Sequence, residues 1–365
     1  MTESGPAGLA VAQHDATLAA LAGGRLHDAR LLGVAAVDAA IAAFGPDSPD
    51  LANVILTCAD IEEAAGDFVA AQALAERAAG IAEPLAHTCD AALMALWVDI
   101  EVACARMLLH RGAFELTDTR LAAALRISRR TLSADDPAVL SIHNLRGVTA
   151  KYRGQFDDAA THYERVRIVL DVDPVADKQA LAVLLHNLGG LDHARGRVVD
   201  GLVHAQRGLG LRIDAVGEDH PDVACDLTAI GALHHDSGDP TAAVSCHRRA
   251  LRIFENALGA EHYEVGMTCA NLAVSTAATD SAEARRLYER ALRILQSTLG
   301  PTHPDVALVQ HNLAVLLAGE GDVDAARHLL DQAEVALSAN LPPEHPRRRD
   351  LHATIEELSL QRNER

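Results

Sequence analysis

The sequence predicts an all-α protein: about eight antiparallel helix hairpins stacked in a row and closed by a C-terminal capping helix. Three observations point there. Glycines recur at a nearly constant interval, small residues hold fixed columns between them, and the core-forming residues are almost never aromatic. Of 365 residues, 49% are apolar but only 3% are aromatic. A core built mainly from alanine suits helices that approach closely, whereas sandwiches and barrels favour β-branched and aromatic residues.

Gly24, Gly66, Gly112, Gly154, Gly196, Gly238 and Gly321 are separated by 42, 46, 42, 42, 42 and 83 residues. The last interval holds two repeats, the hidden turn being "ATDSAEA" around Thr279. Eight units therefore follow one another, with one four-residue insertion and one single-residue deletion. Seven residues before each turn stand Thr17, Ala59, Ala105, Gly147, Gly189, Gly231, Ala273 and Ala314. Five after it stand Ala29, Ala71, Thr117, Ala159, Gly201, Ala243, Ala284 and Ala326. Seven further on stand Ala36, Ala78, Ala124, Val166, Gly208, Ala250, Ala291 and Ala333. Each unit reads as a helix A, a glycine turn in the left-handed region, and a helix B packed back through the small positions. Asp, Ser or Pro opens helix B, as in "GDPTAA" and "TDSAEA". One hairpin cannot bury its apolar face alone, so it is copied and stacked.

The expected units run over 7–44, 49–82, 90–132, 136–171, 177–215, 219–257, 261–299 and 303–339, with a capping helix and tail over 341–365. The longest irregular stretch is expected at Glu83–Asp90, where the insertion falls. Before helix A, "GEDHPDV", "GPTHPDV" and "PPEHPRR" place Pro221, Pro304 and Pro346 at the first helical position, where a missing N–H is harmless. His220, His303 and His345 beside them read as loop-packing or capping groups.

The stretches Val216–Ala250 and Leu299–Ala333, with Leu258–Leu292 close behind, resemble the tetratricopeptide repeat. Their length, "LGxxHPxVA" before helix A and "NLA" within it are similar to the kinesin-light-chain type. The resemblance is strong over the last half of the chain; units one to three share only the small-residue columns. It implies a right-handed superhelix whose A helices line an inner groove, and a partner that is a peptide or a protein segment. It also points to the positions ten, six, three and two before the turn glycine as groove-facing. The ionisable and polar residues there gather in units two to six: Asp60, Glu63, Arg106, Asn144, Lys151, Tyr152, His186, His193, Thr228, His235 and Asp236. In peptide-binding members a groove Asn holds a peptide amide, and Asn144 has the donor and acceptor for that task. His186 and His311 replace the first Asn of the kinesin-type pair, so a different cargo is expected.

The remaining chemistry narrows the function. Net charge is −19 and pI about 5.4, which argues against nucleic acid as partner, since phosphate binding needs a basic surface. Six cysteines form no CxxC pair and read as small core residues of a reducing compartment. No apolar run is long enough for a membrane span, and the N-terminus carries no signal-peptide pattern, so a cytoplasmic location is expected. Ala- and Arg-rich, Lys-poor text suggests a high-GC bacterium. Walker A, GxSxG and HExxH sequences are missing. "GGLDHARG" (Gly189–Gly196) is the packing column of a helix, not a phosphate loop.

The leading expectation is a non-catalytic scaffold or adaptor without cofactor. Two alternatives use the same residues. One is a metal-dependent enzyme, for instance in bacterial specialised metabolism, with His186, His193 and His235 as ligands beside a carboxylate such as Asp192, Asp236 or Glu63. The other is a ligand-sensing regulatory repeat protein.

Overall fold

A computed structural model of the chain describes residues 5–170, 178–343 and 345–363, and every regular element among them is a helix. The first four hairpins are α1 (Pro6–Ala22) with α2 (Leu26–Phe44), α3 (Pro49–Ala64) with α4 (Phe68–Ala82), α5 (Ala91–His110) with α6 (Phe114–Ser128), and α7 (Pro137–Tyr152) with α8 (Phe156–Leu170). The next four are α9 (Lys178–Ala194) with α10 (Val198–Val216), α11 (Pro221–Asp236) with α12 (Pro240–Leu258), α13 (Tyr263–Thr276) with α14 (Ser281–Leu299), and α15 (Pro304–Gly319) with α16 (Val323–Asn340). A last helix, α17 (Pro346–Asn363), follows. The expected unit ends at Asp171 and Asp177, Glu344 of the last His-Pro loop, and the final two residues lie outside the described residues.

The helices form two compact units. One comprises Met1–Ala150 and Asp157–Asp177; the other comprises Lys151–Phe156 and Lys178–Arg365. Each is a stack of helix hairpins.

Local chemistry explains where helices start and stop. All seven turn glycines of the period have positive φ, from 68° at Gly24 to 90° at Gly321. That backbone region is cheap only without a Cβ, so the turn itself demands the glycine. Asp67, Asp90, Asp239, Asp280 and Asp322 each accept a hydrogen bond from the backbone N–H three residues on, capping α4, α5, α12, α14 and α16. The His-Pro loops cap differently. Nδ1 of His220, His303 and His345 accepts from the N–H of Asp222, Asp305 and Arg347, at 3.1–3.2 Å. His262 does the same for Glu264 without a following proline. Their Nδ1 is therefore unprotonated.

Packing follows the columns. Every alanine in the three small-residue columns is at most 2% exposed. Gly147 faces the ring of Tyr163, itself fully buried. Gly189 lies against Gly201 and Ala205 of the paired helix. One expectation needs correction. The stretch Glu83–Asp90 is not the longest without a helix: Glu83–His87 forms a 3-10 turn, with Pro84 in its first turn. That turn absorbs the inserted residues, and the longest helix-free stretch among the described residues is 129–136.

Candidate functional site

The predicted polar residues fall into two groups, one in each unit. In the first unit, α3 presents Asp60 and Glu63 towards Arg106 and His110 of α5. The Arg106 guanidinium donates to Asp60, and it lies 3.0 Å from Glu63. His110 Nε2 bonds Glu63 at 2.9 Å and its ring stacks on Phe68, with centroids 4.3 Å apart. Burial pushes the Glu63 carboxyl up, but Arg106 and His110 outweigh it and hold the group below the usual range. At Asp60 burial wins over Arg106, and its pKa is raised. Asp99 beside this cluster is pushed up to about 6 by burial and then by the Asp60 and Asp136 charges. Arg106 is thus engaged by its own neighbours. Asn144 is half-buried on α7 in the same unit.

In the second unit, Lys151, His193 and His235 occupy one column, three residues before successive turns. Lys151 is half-buried at the end of α7, and no carboxylate lies within ion-pair reach of it among the described residues. Its Nζ sits 5.6 Å from the Tyr152 ring centroid and 3.0 Å from where Gly190 would carry a Cβ. Desolvation, with the Arg347 charge adding to it, lowers the amine to about 8. Tyr152 is pushed up to about 12 by burial and then by Asp305. His193 Nε2 meets Asp236 at 2.7 Å. His235 has its Nδ1 buried with no partner. The Thr228 hydroxyl donates to the Ala224 carbonyl at 2.9 Å, which leaves its lone pairs available.

His186 is committed elsewhere. Its Nδ1 is 2.7 Å from Asp226, whose second oxygen accepts from Arg212 Nε at 2.9 Å. Asp226 and Arg212 are 1% and 8% exposed, so this is a buried ion pair with a histidine at its edge. His186, His193 and His235 do not converge. Among the described residues no three His, Cys, Asp or Glu side chains are placed to hold a metal ion.

Several partners escaped the sequence reading. Asp226, Arg212, Asp305, Arg347 and Tyr263 were not singled out. Asp305 accepts from Arg347 at 3.2 Å and from the Tyr263 hydroxyl at 3.5 Å. His345 donates from Nε2 to the Tyr152 carbonyl at 2.6 Å, which ties the start of α17 to the Lys151–Phe156 turn. The signal for Asp305 was present: it follows His-Pro, as Asp222 does, and repeated acids in one column invite a search for their cations.

Among the described residues no helix is long and apolar enough to cross a membrane. The tetratricopeptide repeat family profile matches residues 180–256, 227–296 and 269–334. Among curated proteins nothing matches the chain. Among solved structures, the Rap conjugation gene regulator of plasmid pLS20, in complex with the Phr* peptide, aligns with a TM-score of 0.64 at 12% identity, over 92% of this chain and 95% of that one. A Rap protein complexed with Competence and Sporulation Factor aligns with a TM-score of 0.61 at 15% identity, over 80% of this chain and 77% of that one. A Podosopora anserina protein described as a kinesin light chain with nearly identical TPR-like repeats aligns with a TM-score of 0.43 at 20% identity, over 57% of this chain and 97% of that one. With helix hairpins spaced by left-handed glycines and a family match over residues 180–334, the second half of the chain carries tetratricopeptide repeats.

Proposed function

We propose that the protein is a non-catalytic scaffold that binds a peptide, or an extended segment of a protein, along the A-helix face of its second unit. The observation that carries this reading is the column Lys151, His193, His235. It offers a half-buried ammonium without a carboxylate and a buried imidazole nitrogen without a partner. A desolvated cation left unpaired is costly, and an acidic group of a ligand would offset that cost. Tyr152, His186, Thr228 and Asp236 flank the column and supply donors and acceptors to a peptide backbone. Asp60, Glu63, Arg106 and Asn144 belong to the first unit and enter only as a separate polar patch, whose central cation is already neutralised.

One finding supports the reading: the two Rap structures of the same fold contain the Phr* peptide and the Competence and Sporulation Factor. The pLS20 protein is described as a gene regulator, which favours a sensing role within the same reading. The test is a displayed random-peptide selection against the wild-type chain. The peptides recovered are then titrated calorimetrically against wild type, the double variant Lys151→Met/His235→Leu, and Arg252→Ala on the exposed side of α12. Loss of binding in the double variant alone supports the proposal. Unchanged binding there, with loss in Arg252→Ala, places the ligand elsewhere.

A further inference from the structure

The second unit has another opening, outside that column. A cavity of about 430 Å³ lies between α14, α15 and α16, beside the loop that carries Pro301. Pro301 and Val335 supply apolar wall, and Val335 is 66% exposed although it is a large aliphatic residue. Gln310, Gln332, His328 and Asp331 supply the polar wall. Neither Lys nor Arg is among the lining residues.

A short relay of hydrogen bonds runs through this wall. Gln310 Nε2 donates to Gln332 Oε1 at 2.8 Å, and Gln332 Nε2 donates to His328 Nε2 at 2.9 Å. The relay leaves one buried acceptor over: Gln310 Oε1 is buried with no partner, in a residue that is 2% exposed. Buried polar atoms are nearly always satisfied, and an exception beside an open cavity points to a missing donor. Asp331 stands exposed at the same wall and forms no ion pair among the described residues. An orphan acceptor and an unpaired carboxylate, with apolar residues lining the same cavity, match one kind of ligand: a cation that donates hydrogen bonds and carries an aliphatic stem. The chain's net charge of −19 favours the approach of such a group and opposes an anion.

We propose that this cavity is a binding site for an alkylguanidinium or alkylammonium group, its head directed to Gln310 and Asp331 and its stem against Pro301 and Val335. Two sources offer that chemistry, a free small amine and a basic side chain of a polypeptide. The experiment separates them by calorimetric titration of the full chain with agmatine and with the peptide acetyl-Gly-Arg-Gly-amide. The citrulline analogue of the peptide and succinate serve as controls. The variants are Asp331→Asn, a surface change that leaves packing intact, and Gln310→Leu, which removes the orphan acceptor at nearly constant volume; thermal melts confirm that each is folded. Saturable binding of either cation, weakened at least fivefold in Asp331→Asn and in Gln310→Leu, supports the site. Preference for agmatine then assigns it to a free amine, and preference for the peptide assigns it to a side chain. The proposal is overturned if neither cation saturates by ~10 mM, if both variants bind as wild type does, or if citrulline peptide or succinate binds as well as the cations. The Lys151→Met/His235→Leu variant should bind agmatine normally, so failure here and failure of the peptide-binding reading remain distinguishable.

Discussion

Replacing Gly147 by alanine should destabilise the first unit, although alanine is the better helix former. A Cβ built at this position would lie 2.7 Å from Cδ1 and 2.8 Å from Cζ of Tyr163, and closer still to Cε1. Tyr163 is 0% exposed, so its ring has no free volume to retreat into. Alanine over glycine gains about 1 kcal/mol of helix propensity. Overpacking a filled core costs about 1–3 kcal/mol. Because the clash involves several atoms of a pinned ring, the upper part of that range applies, and the net loss should be about 1–2 kcal/mol. For a unit of this size the midpoint of thermal unfolding should fall by about 3–6 °C. The assay is circular dichroism at 222 nm during heating, with urea titration for the free energy. Gly80→Ala is the matched comparison, since nothing stands within 4 Å of its Cβ position; it should gain about 0.5–1 kcal/mol. Adding Tyr163→Leu to Gly147→Ala should make the alanine nearly neutral. A Gly147→Ala protein as stable as Gly80→Ala would refute the close-packing argument.

Gly189→Leu should cost at least about 1–3 kcal/mol, since even a Cβ there would stand 3.2 Å from the Gly201 carbonyl oxygen and 3.3 Å from Ala205 Cβ; an unchanged melting temperature would show the position to be slack. Asp226→Ala should cost about 3 kcal/mol, the lower end for breaking a buried pair, because Arg212, 8% exposed, would keep only its longer contact to Asp222 at 3.4 Å, whereas replacing both partners by leucine and methionine should recover most of the loss. Burial, and secondarily the nearby His235 charge, lower His247 to about 4. Its folded value lies below the ordinary one, so its contribution is intact above about pH 6.5 and is lost as pH falls towards 4. At pH 5 the loss is about 2 kcal/mol by linkage, and His247→Asn should show a flatter stability profile between pH 7 and 5. Comparing the variant with wild type isolates this group from Asp99, whose raised pKa acts in the opposite direction. Protein purified without added metal should hold well under one equivalent of zinc, iron or copper by mass spectrometry, and a stoichiometric metal lost in His193→Ala would revive the enzyme alternative.

The period was legible because the backbone writes it directly: a left-handed turn after seven of the eight A helices leaves glycine as the only cheap residue there. The His-Pro caps were legible for the same reason, since a cap involves residues two apart. The lateral network was not. His186 and Asp226 are 40 residues apart, and Arg347 and Asp305 are 42 apart. Such pairs depend on how neighbouring helices are rotated about their axes, and a column of residues does not specify that angle. Arg106 is the instructive case. It shares its column with Asp60 of the preceding unit, and opposite charges in one column of adjacent units pair with each other before they meet a ligand. The same rule, applied to Lys151, finds Leu109 and His193 in the adjacent units, no acid beside it in the column, and leaves Lys151 available.

The central claim is that ligand lies on the A-helix face of the second unit. The most direct measurement is photo-crosslinking with a selected peptide carrying benzoyl-phenylalanine, followed by mass-spectrometric mapping of the attached residues. The account predicts crosslinks on α9, α11 and the turn 151–156, reduced when Lys151→Met/His235→Leu replaces wild type. Crosslinks confined to α10 and α12, and unchanged in that variant, would contradict it.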